Sequence, residues 1–195
     1  MWARLQQTVI PRLNFPNLRS FQLLDANGVC TREEWNSVMF PFFLRSNRLT
    51  HLVLQPCRGH WCIPRNTLHT YLSELRLLVN LSIWQSQTLP ERTLEEMATG
   101  ELVPMLETLE CRVEPHNSRF WRMLDRRNVS TGDRQTRASG VVPIRHVVVV
   151  SRCSKKLEEM ESLEHVMRWR FHGVCIDFKL LDPDLPKCWC RCIWT

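Results

Sequence analysis

Two clusters of soft donor atoms are the first candidates for chemistry in this chain. Cys57-x-x-His60-x-Cys62 could bring two thiolates and an imidazole together, and Cys188-x-Cys190-x-Cys192 could add three more thiolates. Structural zinc sites are built around C-x-x-C pairs, which neither stretch contains, and alternate cysteines on an extended chain point to opposite faces. No metal site and no cofactor are therefore expected. The nine cysteines are odd in number, follow no secretory signal, and in places such as Cys111 occupy apolar positions of a repeat. Reduced, mostly buried thiols are expected rather than a disulfide framework.

Covalent and phosphoryl chemistry also lack their usual settings. The seven histidines fall in no H-E-x-x-H, the serines in no G-x-S-x-G, and six glycines leave little material for a phosphate cradle. Glu33-Glu34, Glu95-Glu96 and Glu158-Glu159 read as charges on helix surfaces. The chain is expected not to be an enzyme, with no catalytic residue. Its formal charge of +6 permits an acidic partner. Arg126, Arg127, Arg134, Arg137, Arg145 and Arg152 define the alternative reading, nucleic-acid or acidic-partner binding through the basic loop 126–152. Such a loop would track phosphates without reading bases, but no aromatic residues interleave with it, and nucleic acid is not the partner expected.

The stronger signal lies in the elements that would position a site. Leu49-Thr50-His51-Leu52-Val53-Leu54 has the order L-x-x-L-x-L, a short strand whose apolar residues face a core. The same spelling recurs from Leu18, Leu78, Leu106 and Ile144, at spacings of 31, 29, 28 and 38 residues. The long last interval contains a polar run with two glycines, read as a loop insertion over 127–141. Val174-x-Ile176-x-Phe178 alternates in the same way and predicts a sixth strand. A period of this length is the mark of stacked repeats, each burying its apolar face on its neighbours.

Between the strands the pattern turns helical. Thr31-Arg32-Glu33-Glu34 has the form of a capping box and precedes Trp35, Val38, Met39 and Phe42, with Pro41 expected to kink or end the helix. A second helix follows Pro64 and carries Leu68, Leu72 and Leu75 on one stripe. A third starts at Pro90-Glu91 and stops at Gly100, and a fourth starts near Asn117-Ser118 with Phe120, Trp121 and Leu124. The fifth is expected to be the longest, capped by Ser154, carrying Leu157, Met160, Leu163, Val166 and Met167, and closed by Gly173. Strands returning through helices must run parallel.

L-x-x-L-x-L strands returning through helices at about 28 residues resemble leucine-rich repeats of the long, helix-containing type. That family continues with Asn or Cys three residues past the last anchor, where this chain has Ala26, Cys57, Ser86, Glu114 and Arg152; Cys57 matches and Ser86 can serve. Phe15-Pro16-Asn17-Leu18-Arg19-Ser20-Phe21-Gln22-Leu23 and Val103-Pro104-Met105-Leu106-Glu107-Thr108-Leu109-Glu110-Cys111 are similar to the degenerate repeats of fungal F-box proteins. The resemblance implies an α/β leucine-rich-repeat solenoid of about six parallel strand-loop-helix repeats, with its curved sheet on the concave side. It spans a domain at 1–182, followed by a C-terminal tail or cap at 183–195.

The function it implies is that of a ubiquitin-ligase substrate receptor, whose repeats hold a protein substrate. No F-box-like Leu-Pro cluster precedes Leu18, so a Skp1-type adaptor is expected only if an F-box lies outside this chain. Residues between the strand anchors would line the concave face. They are Ser20, Gln22 and Leu24; His51, Val53 and Gln55; Asn80, Ser82 and Trp84; Thr108, Glu110 and Arg112; His146, Val148 and Val150; and Asp177 and Lys179. The residues expected to contact a partner are Gln22, His51, Gln55, Asn80, Ser82, Trp84, Thr108, Glu110, Arg112 and His146. Trp84 would be the anchor, since exposed tryptophan beside arginine is the composition of interface hot spots. No apolar run is long enough to span a membrane, and no apolar signal segment follows Met1, so the cytosol or nucleus is expected.

Overall fold

The computed structural model describes residues 17–23, 32–54, 65–83, 89–113, 117–132, 140–151, 153–161 and 163–180. Among the described residues six strands form one sheet: β1 (Ser20–Leu23), β2 (His51–Leu54), β3 (Asn80–Ile83), β4 (Thr108–Arg112), β5 (His146–Ser151) and β6 (Cys175–Leu180). Their order in the sheet is their order in the chain, and every neighbouring pair is parallel. The register places like beside like. Phe21, Leu52, Leu81, Leu109, Val147 and Ile176 form one inward row, and Leu23, Leu54, Ile83, Cys111, Val149 and Phe178 form the next. A slip of one residue would turn every one of these side chains to water, so burial itself fixes the register.

The starts of β2, β3, β4 and β5 repeat one device. The N–H groups of Thr50 and His51 both donate to the Arg19 carbonyl, those of Val79 and Asn80 to Thr50, those of Glu107 and Thr108 to Val79, and those of Arg145 and His146 to Glu107. Immediately before each pair sits a fully buried anchor, namely Leu49, Leu78, Leu106 and Ile144. The apolar anchor and the converging donors together lock each unit onto the one before it.

Six helices among the described residues make the returns: α1 (Arg32–Arg45), α2 (Arg65–Glu74), α3 (Glu91–Thr99), α4 (Ser118–Gly132), α5 (Ser154–Glu161) and α6 (Glu164–Phe171). Their apolar stripes join the sheet's inward rows in one core that includes Phe43, Leu72, Met97, Leu124 and Met160. The start of α4 and the stop of α3 fall where the sequence puts them. Gly100 closes α3 in the left-handed region at φ 78°, its N–H donating to the Met97 carbonyl.

One expectation is narrowed and two are corrected. Of the two outcomes expected at Pro41, a kink or an end, the helix does not end there: it runs through Pro41 to Arg45. Phe42 and Phe43 in its last turn are buried and meet Phe21 and Tyr71 with ring centroids 4.8 and 5.1 Å apart. Two buried phenylalanines contribute about 1.5–3 kcal/mol each, enough to outweigh the roughly 3 kcal/mol cost of an internal proline. The Thr31 capping box lies outside the described residues.

The loop insertion expected over 127–141 is also displaced, because α4 continues to Gly132. Arg127 and Asn128 hold that helix to residues 142 and 144 through their side chains. The single long fifth helix is two helices, with extended Leu163 (φ −68°, ψ 136°) ahead of the second and Ser154 inside the first rather than capping it. The break lets α5 meet β5 and β6 while α6 packs along β6 and α5 and reaches α4 through Arg168–Asp125 and His165–Trp121. Val166 and Trp169 then reach the core, and Met167 is left 58% exposed. The tail at 183–195 lies outside the described residues.

Candidate functional site

The outward positions of the strands form rows of their own. Ser20, His51, Asn80, Thr108, His146 and Cys175 stand in register in the first row, and Gln22, Val53, Ser82, Glu110, Val148 and Asp177 in the second. Arg112, Val150 and Lys179 begin a third. Most of these side chains are exposed or half-buried, in contrast to the inward rows. Parallel sheets ordinarily have both faces covered and read as continuous apolar runs. Here one face is apolar and buried, and the other is mixed, with polar side chains outnumbering Val53, Val148 and Val150.

Eight of the ten residues expected to contact a partner lie on this face, namely Gln22, His51, Asn80, Ser82, Thr108, Glu110, Arg112 and His146. Gln55 and Trp84 lie outside the described residues, as do Leu24, Cys57, His60, Cys62 and the cysteines of the tail. Val150, expected to be accessible, is fully buried. Lys179, its register partner, extends back across β5 at that level to reach Glu110.

Two polar clusters organise the face. In the first, Glu110 accepts from Ser82 Oγ at 2.6 Å through Oε2 and from Lys179 Nζ at 3.1 Å through Oε1, so one carboxylate ties β3 to β6. In the second, His146 Nε2 lies 2.8 Å from Asp177 Oδ2, and Cys175 Sγ lies 3.9 Å from each oxygen of the same carboxylate. Cys175 was not among the residues expected here. It occupies the outward position one before Ile176, so the alternation that exposed Asp177 and Lys179 points to it as well.

At the opposite end, His51 Nδ1 lies 2.8 Å from Thr50 Oγ1, whose hydroxyl donates to the Arg19 carbonyl. That proton being committed, neutral His51 donates from Nδ1 and presents Nε2 as an acceptor.

Three of the nine cysteines, Cys111, Cys153 and Cys175, lie among the described residues, and all three are free thiols. Cys111 is a buried thiol whose pKa is pushed up to about 12, first by desolvation and then by the neighbouring Glu110 charge, which makes it a poor nucleophile. Cys153 and Cys175 are exposed. The basic segment is reorganised. Arg127 is buried and donates to the carbonyls of Met97, Val103, Pro104, Leu106 and Val142, so it has no role at a phosphate. Arg126 and Arg145 are exposed. Arg134, Arg137 and Arg152 lie outside the described residues.

No family model, curated protein or solved structure matches the chain. Among the described residues no helix is long and apolar enough to cross a membrane.

Proposed function

We propose that the polar sheet face is a protein-binding surface and that the chain is a leucine-rich-repeat solenoid with this face on its concave side. The observation that carries the reading is the two-faced parallel sheet: outward side chains of mixed polarity are held in register over six strands while their neighbours are buried. Such a surface offers many moderate contacts spread over a rigid frame, which suits recognition of another protein better than catalysis. The anchor spacing and the P-x-L-x-x-L-x-L segments extend the proposal to the substrate-binding repeats of an F-box-type ubiquitin-ligase receptor. A Skp1-type adaptor would then be recruited by an F-box outside this chain.

The test is a pull-down with the full chain, comparing wild type with Asn80→Lys/Thr108→Lys, with Trp84→Ala, and with Glu158→Ala on the helical side. Retained proteins and Skp1 are scored together. The face variants are expected to lose the retained protein at unchanged melting temperature, and Glu158→Ala to keep it. Equal retention by all four proteins would refute a binding face here. Binding that instead collapses steeply with added salt and needs nucleic acid would favour the basic segment.

A further inference from the structure

We infer that His146, Cys175 and Asp177 form a binding site for a zinc-like divalent transition-metal ion at the β5–β6 end of the sheet. His146 and Cys175 are register partners on adjacent strands. Asp177 follows Cys175 by two residues and therefore projects from the same face. One donor atom from each residue falls within 4.8 Å of the other two. Zinc binds sulfur at about 2.3 Å and nitrogen or oxygen at about 2.0–2.2 Å, so in a tetrahedron its ligand atoms stand roughly 3.3–3.7 Å apart. The separations present, 2.8 Å between imidazole and carboxylate and 3.9 Å between sulfur and carboxylate, fall on either side of that range. Small side-chain rotations on a fixed strand pair bring all three ligands to one ion.

The donor set selects the class of metal. A thiolate and an imidazole favour zinc, cobalt or copper over magnesium and calcium, which would want several more oxygens. Thiolate and carboxylate together neutralise a dipositive ion. Three protein ligands on an accessible face leave the fourth position to water or to a donor from a bound partner. The same residue types make nucleophilic triads in hydrolases, where the base stands between nucleophile and acid. Here the central group is the carboxylate of Asp177, which both other residues contact. That order suits a ligand set and not proton transfer from sulfur.

This site stands independently of the protein-binding reading, because its test involves metal alone. Reduced, metal-free full-length protein is titrated with cobalt(II), and thiolate-to-cobalt charge-transfer absorption is followed before displacement by zinc. Wild type is expected to show the band and to lose it on adding zinc. Cys175→Ser should abolish the contribution of this site. Asp177→Asn and His146→Ala should each weaken binding by about tenfold or more, since even groups behind the ligands contribute that much. Thermal melts without metal confirm that the variants fold, and Asp177→Asn, which keeps the side chain's shape, decides the matter should another variant fail to fold. Absence of the band in wild type would overturn the proposal. So would an identical titration in Cys175→Ser or Asp177→Asn, which would place any bound metal on other cysteines.

Discussion

Lys179 on β6 reaches Glu110 on β4, with Nζ 3.1 Å from Oε1, although β5 lies between them. The other oxygen of the same carboxylate accepts from Ser82 on β3 at 2.6 Å. Lys179 is well exposed, so the ion pair itself contributes no more than about 1 kcal/mol and is weakened by salt. The Ser82 hydroxyl is largely buried, and a hydrogen bond to a charged acceptor contributes about 1.5–3 kcal/mol. Urea unfolding at low and high salt should therefore rank Ser82→Ala as the costlier change. The loss from Lys179→Ala should fade as salt is added. A salt-independent Lys179→Ala effect as large as that of Ser82→Ala would contradict this division.

Arg127 is fully buried and its guanidinium donates to five backbone carbonyls in three stretches of chain, at distances from 2.7 to 3.4 Å. Desolvation lowers its pKa to about 10, still well above neutral, so the group remains a cation held by carbonyl dipoles. Only the planar fork of arginine reaches so many acceptors at once. Both Arg127→Lys and Arg127→Met are expected to cost about 3 kcal/mol or more, because each strands buried carbonyls. Denaturant titration checks this, and full stability in the lysine variant would show that charge rather than the fork matters.

The uneven legibility of the sequence follows from what each feature depends on. Six strands could be placed because their alternation is local, and the stop at Gly100 because a left-handed residue there favours glycine. The outward rows followed from the same alternation. Arg127 could not be read, since it is one polar residue in a polar run and its acceptors, Met97 to Leu106 and Val142, lie far along the chain. The helix continues past Pro41 for a related reason: the aromatic contacts that hold it come from Phe21 and Tyr71 in neighbouring units. The Glu110–Lys179 bridge spans 69 positions and skips a strand, so it depends on side-chain reach, which periodicity does not report.

Ser46 illustrates a local imperfection in the repeat. Its N–H donates to Phe43 and its carbonyl accepts from Leu49, as Leu75 bonds Leu72 and Leu78 in the following unit. Where that unit has a buried leucine, Ser46 buries a hydroxyl that has no partner among the described residues. An unsatisfied buried hydroxyl costs about 1–3 kcal/mol. Ser46→Ala is accordingly expected to raise the melting temperature. A lower one would mean that the hydroxyl is bonded after all.

Cys111 makes a prediction about alkaline pH. Its pKa is raised from 9.0 to about 12 in the folded chain, so between these values the folded state keeps a proton that the unfolded state releases. Its contribution to stability is complete below pH 9 and is lost as pH rises toward 12, at roughly 1.4 kcal/mol per pH unit. Arg127 acts in the opposite sense from about pH 10 upward, because its folded pKa is lowered from 12.5. The difference between wild type and Cys111→Val removes that common background. Val149, beside Cys111 in the same inward row, shows that valine suits this environment. Urea titrations above pH 9 should show wild type losing stability faster than Cys111→Val, and parallel curves would mean that the thiol is not desolvated.

Gly100 tests how closely the end of α3 meets the segment that returns after α4. Its φ is +78°, and a Cβ placed there would lie 2.4 Å from Val141 Cγ2 and 2.6 Å from Cγ1. Gly140 has a similar φ of +70° with no atom within 4 Å of such a Cβ. Gly140→Ala should therefore cost only the left-handed strain, about 1–2 kcal/mol. Gly100→Ala adds a clash with a branched side chain and should cost distinctly more. Val141→Ala removes both offending methyl groups but keeps its Cβ 3.0 Å away, so combined with Gly100→Ala it should recover part of the excess and leave a loss still above that of Gly140→Ala. The double-mutant cycle measures this coupling directly, and strict additivity of the two substitutions would rule out the contact.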